Sequence, residues 1–123
     1  MKKRVLNPER LRKVPPQFSW IDHRLVRENY FLRCDHPAWT LYLFLVSVAD
    51  AEGLSYYSDP SLMRRLKMDE LQLSGSRRQL IQHGLIAFEK PLYQVLSLNP
   101  VEGPRIGSAS VAEILRKAMG GQP

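Results

Sequence analysis

The chain has 123 residues, of which 44% are hydrophobic and 24% are charged, and this composition is typical of one folded domain rather than of a disordered chain. The longest nearly apolar stretch, residues 38–49, is shorter than the roughly 20 residues that a membrane helix needs. Lys and Arg outnumber Asp and Glu by 18 to 12, and there is a single cysteine. We therefore expect a cytoplasmic protein without a disulfide or a multi-cysteine metal centre.

The positive charge is concentrated near the N-terminus. Residues 1–33 hold nine basic and three acidic residues, whereas residues 34–59 hold four acidic residues and no Lys or Arg. Residues 60–83 are basic again, with five cations and two carboxylates. Basic segments are typical of proteins with an anionic partner such as nucleic acid, because Lys and Arg displace the counterions condensed on phosphates. A solvated surface that only keeps the protein soluble would carry the same charge.

Residues 1–17 are predicted to form a flexible basic arm. They contain three prolines and no hydrophobic periodicity, and no apolar block of a secretory signal follows the basic start. If the arm binds DNA, six cations are available for phosphate contacts: Lys2, Lys3, Arg4, Arg10, Arg12 and Lys13. An arm that binds no partner is the alternative.

The ordered part is expected to begin with residues 18–21, as a short strand or an extended lead-in. Asp22 can then cap a short helix. Asp35 and Pro37 form a helix-start signal, since a proline in the first turn has no N–H to leave unsatisfied. The helix that follows, residues 39–49, is apolar nearly all round and is predicted to lie at the centre of the core.

The next segment contains an edge strand and two helices in succession. Residues 54–57 form a short segment with two tyrosines, and it has the length of one edge strand. Ser58 and Pro60 predict the start of a helix of about eight residues. After a tight turn, Asp69 and Gln72 have the spacing of a capping box and predict a second helix.

A β-hairpin is predicted to follow that helix. Gly84 suits a left-handed helix end, and residues 85–88 and 92–98 are apolar runs separated by a short tip. Residues 99–110 are rich in Pro, Gly and Ser and predict a linker. Residues 111–120 predict one short amphipathic C-terminal helix.

This order of elements resembles the winged helix-turn-helix family, and residues at fixed spacing support the resemblance. They are the end of the first motif helix, the turn, the cap, the inward positions of the second helix and the entry to the hairpin: Leu66, Met68, Asp69, Leu73, Leu80 and Gly84-Leu85-Ile86. Residues 18–23 and 41–45 also resemble small winged-helix proteins of bacterial replication-initiation and mobile-element systems. The resemblance implies an α+β fold over residues 18–98, with a three-helix core, a small antiparallel sheet and a wing hairpin.

The resemblance also implies which residues would contact DNA. In this family the second motif helix enters the major groove, while the wing and the preceding helix contact phosphates. By position, the candidates for base contacts are Gln72, Ser74, Ser76 and Gln79. Besides the arm, the candidates for phosphate contacts are Arg64, Arg65, Lys67, Arg77, Arg78 and Lys90.

Two features of the second motif helix depart from that pattern. Asp69 and Glu70 place carboxylates at the end that should approach the polyanion, and Gly75 lies in the helix interior. Carboxylates at a helix N-terminus are explained equally well by the helix dipole. A helix that packs without reading any base is therefore the alternative interpretation.

Two functions remain open at this stage. The first is a small bacterial DNA-binding protein of replication, transposition or transcription control, with double-stranded DNA as its partner. The second is a protein–protein adaptor that uses the winged-helix scaffold without base readout; a homodimer is open in either case. We expect no catalysis, cofactor, small-molecule ligand or metal site, because residues 103–108 lack the lysine of a phosphate-binding loop and the three histidines are far apart.

Overall fold

The computed structural model describes residues 2–98 and shows an α+β fold. In this part of the chain the α-helices are α1 (Arg24–Arg27), α2 (His36–Val48), α3 (Asp59–Leu66) and α4 (Glu70–Gln82). The strands are β1 (Leu54–Tyr56), β2 (Ile86–Glu89) and β3 (Leu92–Val95), and they form one antiparallel sheet in the order β1-β3-β2. Among the described helices, none has the length and apolar character needed to cross a bilayer. The linker and C-terminal helix predicted for residues 99–120 lie outside the described residues.

The N-terminal arm is exposed along residues 2–17. It contains one short 3-10 helix, Pro8–Arg10, whose first turn is capped by the side chain of Asn7. Residues 18–21 form no strand, so they are a lead-in to α1. Asp22 Oδ1 accepts a hydrogen bond from the backbone N–H of Arg24 at 2.8 Å, which supports the short helix as predicted.

Helix α2 begins as its start signal predicts. Asp35 Oδ1 accepts a hydrogen bond from the backbone N–H of Ala38 at 3.2 Å, and Pro37 lies in the first turn. The helix packs against α4 and β3 and buries one face: Ala38, Leu41, Tyr42, Leu45 and Val46. On the other face Leu43 is 55% exposed, so the prediction of a helix at the centre of the core is wrong for that side. A domain of this size has too few elements to surround a helix completely.

The sheet joins the middle of the domain to its C-terminal hairpin. Gly53 has φ +85°, and a Cβ at this position would lie 2.6 Å from the carbonyl oxygen of Val95, so only glycine fits there without a shift. The Gly53 carbonyl accepts a hydrogen bond from Val95 N–H at 2.8 Å, next to the pairing of β1 with β3. The predicted edge strand and hairpin are both confirmed. Tyr93 of β3 is fully buried and anchors the sheet to the core.

Candidate nucleic-acid interface

Helices α3 and α4 are joined by a tight turn, and local hydrogen bonds define its geometry. Ser58 Oγ accepts a hydrogen bond from Ser61 N–H at 3.3 Å at the start of α3. Lys67, with φ +56°, ends α3 in the left-handed conformation. Asp69 Oδ1 then accepts from Gln72 N–H at 2.8 Å, and Gln72 Oε1 accepts from Asp69 N–H at 3.0 Å. The predicted helix start and capping box are therefore confirmed.

The end of α4 directs the chain into the hairpin. Gly84 has φ +71°, as predicted for a left-handed helix end, and its N–H donates to the carbonyl of Ile81 at 3.1 Å. Leu85 N–H donates to the carbonyl of Leu80 at 2.9 Å, and both leucine side chains are fully buried. This pair of bonds with its apolar contact is a Schellman motif, and it fixes the angle between α4 and β2.

Helix α4 has one buried and one exposed face. Leu73, Ser76 and Leu80 are its buried side chains, and they face the core formed with α2. The opposite face is exposed and includes Leu71 and Arg78. Any partner of α4 would meet this second face.

The structure changes the set of base-contact candidates. Ser76 is only 2% exposed and its Oγ has no hydrogen-bond partner, so the prediction that it lies on the outer face is wrong. Its neighbours at three and four positions, Leu73 and Leu80, turn the same side of the helix inward. The family resemblance placed Ser76 on the wrong face, although its spacing from these two leucines indicates the buried face.

The two glutamines are held by internal hydrogen bonds. Gln72 Oε1 is occupied by the capping box, and Gln79 Oε1 accepts from the backbone N–H of Asp35 at the start of α2 at 2.8 Å. A bidentate contact with adenine uses the same oxygen as an acceptor, so these bonds compete with base readout. Ser74 is half-buried and is the remaining predicted base contact near the outer face.

Arg77 was expected to contact phosphate, but its side chain bonds within the domain. Its Nη1 donates to Asp59 Oδ1 at 3.0 Å and to the Tyr93 hydroxyl at 2.7 Å, and its guanidinium lies 4.4 Å from the Phe88 ring centroid. The side chain is 15% exposed. Arg77 therefore links α4 to the start of α3 and to the hairpin, and the prediction of a free phosphate contact is wrong.

The electrostatics of this cluster favour the charged arginine. Burial lowers the pKa of Arg77, but the hydrogen bonds with Asp59 and Tyr93 outweigh burial, and the net shift is above the ordinary value. Burial also raises the pKa of Tyr93, against the opposing effect of Arg77. The cluster is thus an ion pair with a neutral phenol, and it stiffens the junction of α3, α4 and the hairpin.

Five other cations predicted to contact phosphate are exposed. They lie on α3, in the turn, on α4 and at the hairpin tip: Arg64, Arg65, Lys67, Arg78 and Lys90. Arg65 is partly engaged, since its Nε donates to Ser61 Oγ at 3.2 Å and its guanidinium lies 5.7 Å from the Tyr57 ring centroid. Asp69, Glu70 and Glu89 are exposed near them and reduce the local positive potential. All six predicted cations of the arm are exposed as well.

The sequence analysis does not single out Leu71 as an exposed apolar residue of α4. It lies in the first turn of α4 and is 83% exposed, more than nearly every other large apolar side chain among residues 2–98. Arg78 lies seven positions later, and two residues at this spacing share a helix face, so the sequence could have indicated that Leu71 lies on the exposed face.

Other chemistry-bearing groups are few in the described part. Among residues 2–98, no cluster of three or more His, Cys, Asp or Glu side chains could hold a metal ion. Burial raises the pKa of the Cys34 thiol, and the nearby Asp35 charge acts in the same direction. The thiolate is therefore disfavoured at this position. No protein-family model, curated protein or solved structure matches the chain.

Proposed function

We propose that the chain is a winged-helix DNA-binding protein of a bacterial replication, transposition or transcription-control system. In this proposal α3 and α4 form the helix-turn-helix, and the β2–β3 hairpin is the wing. The succession of α2, β1, α3, α4 and a hairpin, with the sheet order β1-β3-β2, is compatible with that fold. The tight turn after α3 and the capped start of α4 support it further.

One observation carries the proposal: exposed cations lie on α3, in the turn, on α4 and at the hairpin tip. Arg64, Lys67, Arg78 and Lys90 extend from the first motif helix to the hairpin tip. This is the part of a winged helix that lies against the phosphates on both sides of the groove. The exposed arm adds six more cations. Among residues 2–98, no acidic side chain forms an ion pair with any of them.

The internal bonds of Arg77, Gln72 and Gln79 indicate how the affinity is divided. Phosphate contacts would supply most of it, and base contacts would be few. Such binding is strongly salt-dependent, because each neutralised phosphate releases about 0.9 of a counterion.

A second candidate is a protein–protein adaptor built on the same scaffold. It would use the apolar surface that Leu71 and Ile81 leave exposed on α4. The acidic Asp69 and Glu70 at the start of the helix would suit a basic protein partner. The adaptor predicts only weak association with DNA that is independent of sequence.

The test is binding of the intact chain to a pool of random-site duplexes, measured by fluorescence anisotropy and followed by selection and sequencing. DNA binding with six arm contacts predicts a loss of about 10³-fold in affinity between roughly 50 and 200 mM salt, together with enrichment of a sequence motif. A pool that stays random would favour the adaptor. No binding at the lower salt concentration would overturn the proposed function.

A further inference from the structure

Leu71 is exposed without a structural reason among the described residues. It is 83% exposed and does not belong to the core cluster that includes Leu73 and Leu80 of the same helix. The side chain follows the capping residue Asp69 by two positions, so it projects from the first turn of α4. In a helix that enters a groove by its N-terminal half, this is a position that faces the bases.

The helix surface around Leu71 carries small side chains. Ser74 and Gly75 lie three and four positions later, so they are its neighbours on the helix face. A Cβ at Gly75 would meet nothing within 4 Å, so a larger residue would fit there without touching the domain. Glycine instead lets the helix backbone approach a partner closely. Arg78, one further turn along, places an exposed cation at the end of this surface.

We propose that Leu71 is a specificity-determining residue that packs against the C5 methyl group of a thymine in the major groove. This inference rests on the proposed DNA-binding function. The thymine methyl is the apolar group that the major groove presents, and aliphatic side chains recognise it by contact. Ser74 and Gly75 allow the helix to lie deep enough for that contact, and Arg78 holds the adjacent phosphate.

The observations favour DNA over a protein partner for this surface. Arg78 lies on the Leu71 face, and Arg64 and Lys67 are exposed on the preceding helix and turn. Asp69 and Glu70 are also exposed at the start of α4, so the cations that would meet phosphates lie farther along α4 and on the preceding helix and turn. Gln72 and Gln79 lie to one side of the Leu71 face, where their side-chain oxygens accept internal hydrogen bonds.

The experiment uses the intact chain and the duplex enriched by site selection. Each thymine of the site is replaced in turn by deoxyuridine, which lacks only the C5 methyl, and Kd is measured by anisotropy at fixed salt. One replacement should weaken binding about fourfold, which corresponds to one methyl group removed from water. Leu71→Ala should bind more weakly and lose this sensitivity. Ile81→Ala, which also trims an exposed aliphatic side chain of α4, should keep it.

The outcomes separate this inference from the proposed function. If the chain selects a site but no deoxyuridine weakens binding, or if Leu71→Ala remains as sensitive as the unsubstituted chain, Leu71 does not read thymine and the DNA-binding function still stands. If the chain binds no DNA, both proposals fail. Sedimentation velocity gives a further check, because a dimer that Leu71→Ala converts to monomer would assign this surface to a second copy of the chain.

Discussion

The N-terminal arm and the α3–α4 unit are both basic, but they differ in how many of their cations are available to a partner. In the arm all six predicted cations are exposed. In the α3–α4 unit Arg77 is bound to Asp59 and Tyr93, and Arg65 is partly engaged by Ser61. The comparison teaches that the charge counted along a sequence overstates the number of accessible cations in a folded element, whereas in the exposed arm every counted cation is accessible.

The largest effect is expected from the arm. Replacing its six cations by Gln (Lys2, Lys3, Arg4, Arg10, Arg12 and Lys13) should reduce the slope of log K against log salt by about 5. The loss of about 10³-fold in affinity between roughly 50 and 200 mM salt should then largely disappear. The melting temperature should not change, because these residues are exposed outside the core.

The control replaces Arg27 and Arg33 by Gln, because these exposed cations of the folded domain lie outside the arm and outside the predicted phosphate contacts. If the chain with the neutralised arm keeps the slope of log K against log salt of the intact chain, the arm binds no phosphate. In that case the comparison between the two regions would be reversed, with the α3–α4 unit as the main anion-binding surface.

Adjacent arginines on α4 provide a matched pair. Arg77→Gln should lower the free energy of unfolding by about 1–2 kcal/mol, because Asp59 and Tyr93 lose their partner. Arg78→Gln should change it by less than about 0.5 kcal/mol, since Arg78 is exposed. Urea unfolding measures both differences.

DNA binding should show the opposite order for the same two variants. Arg78→Gln should reduce the salt slope by about 0.9, the contribution of one phosphate contact. Arg77→Gln should leave the slope unchanged under conditions where the variant is folded. Equal slopes for Arg78→Gln and the unsubstituted chain would remove Arg78 from the interface.

Ser76→Ala is expected to change the stability by a smaller amount and in the opposite direction, as a gain. The buried Ser76 Oγ has no partner, so its removal should stabilise the domain by about 1 kcal/mol, part of which is the higher helix propensity of alanine. Ser74→Ala, on the outer side of the same helix, measures the contribution of helix propensity alone. A loss of stability in Ser76→Ala relative to Ser74→Ala would mean that the Ser76 hydroxyl has a partner.

The smallest effect concerns Asp22 at low pH. The side-chain hydrogen bond from Arg24, helped by the Arg24 backbone N–H, lowers the pKa of the Asp22 carboxyl below its ordinary value of 3.8. A carboxyl whose pKa is lower in the folded state stabilises the fold above its unfolded pKa, and that stabilisation is lost as the pH falls through the folded value. Asp22→Asn should therefore be less stable than the unsubstituted chain at neutral pH, and the difference should shrink below pH 3.8. A difference that does not depend on pH would exclude this cause.

Local signals made most of the fold predictable. Asp35, Ser58 and Asp69 each cap a helix through a backbone N–H three residues later, so the cap and its partner lie in one short window of sequence. Gly84 ends α4 by the same kind of local requirement. The helices, the edge strand and the hairpin follow from such windows.

The site was harder to predict because its deciding contacts are distant in sequence. Arg77 meets Asp59 across 18 residues, and Gln79 meets Asp35 across 44. No local sequence pattern predicts such pairs, so the sequence analysis gives both side chains as DNA contacts. Ser76 and Leu71 are different, because their spacing from Leu73, Leu80 and Arg78 already indicated which face each residue occupies.

The most direct test of the central claim is to map the DNA-binding surface on the intact, ¹⁵N-labelled chain by NMR during titration with the selected duplex. The account predicts that backbone amide signals shift in the arm, in the first half of α4 around Leu71 and Ser74, and at Lys90, and that these shifts weaken as salt rises. Shifts confined to the face of α2 around Leu43, or no shifts at all, would contradict it.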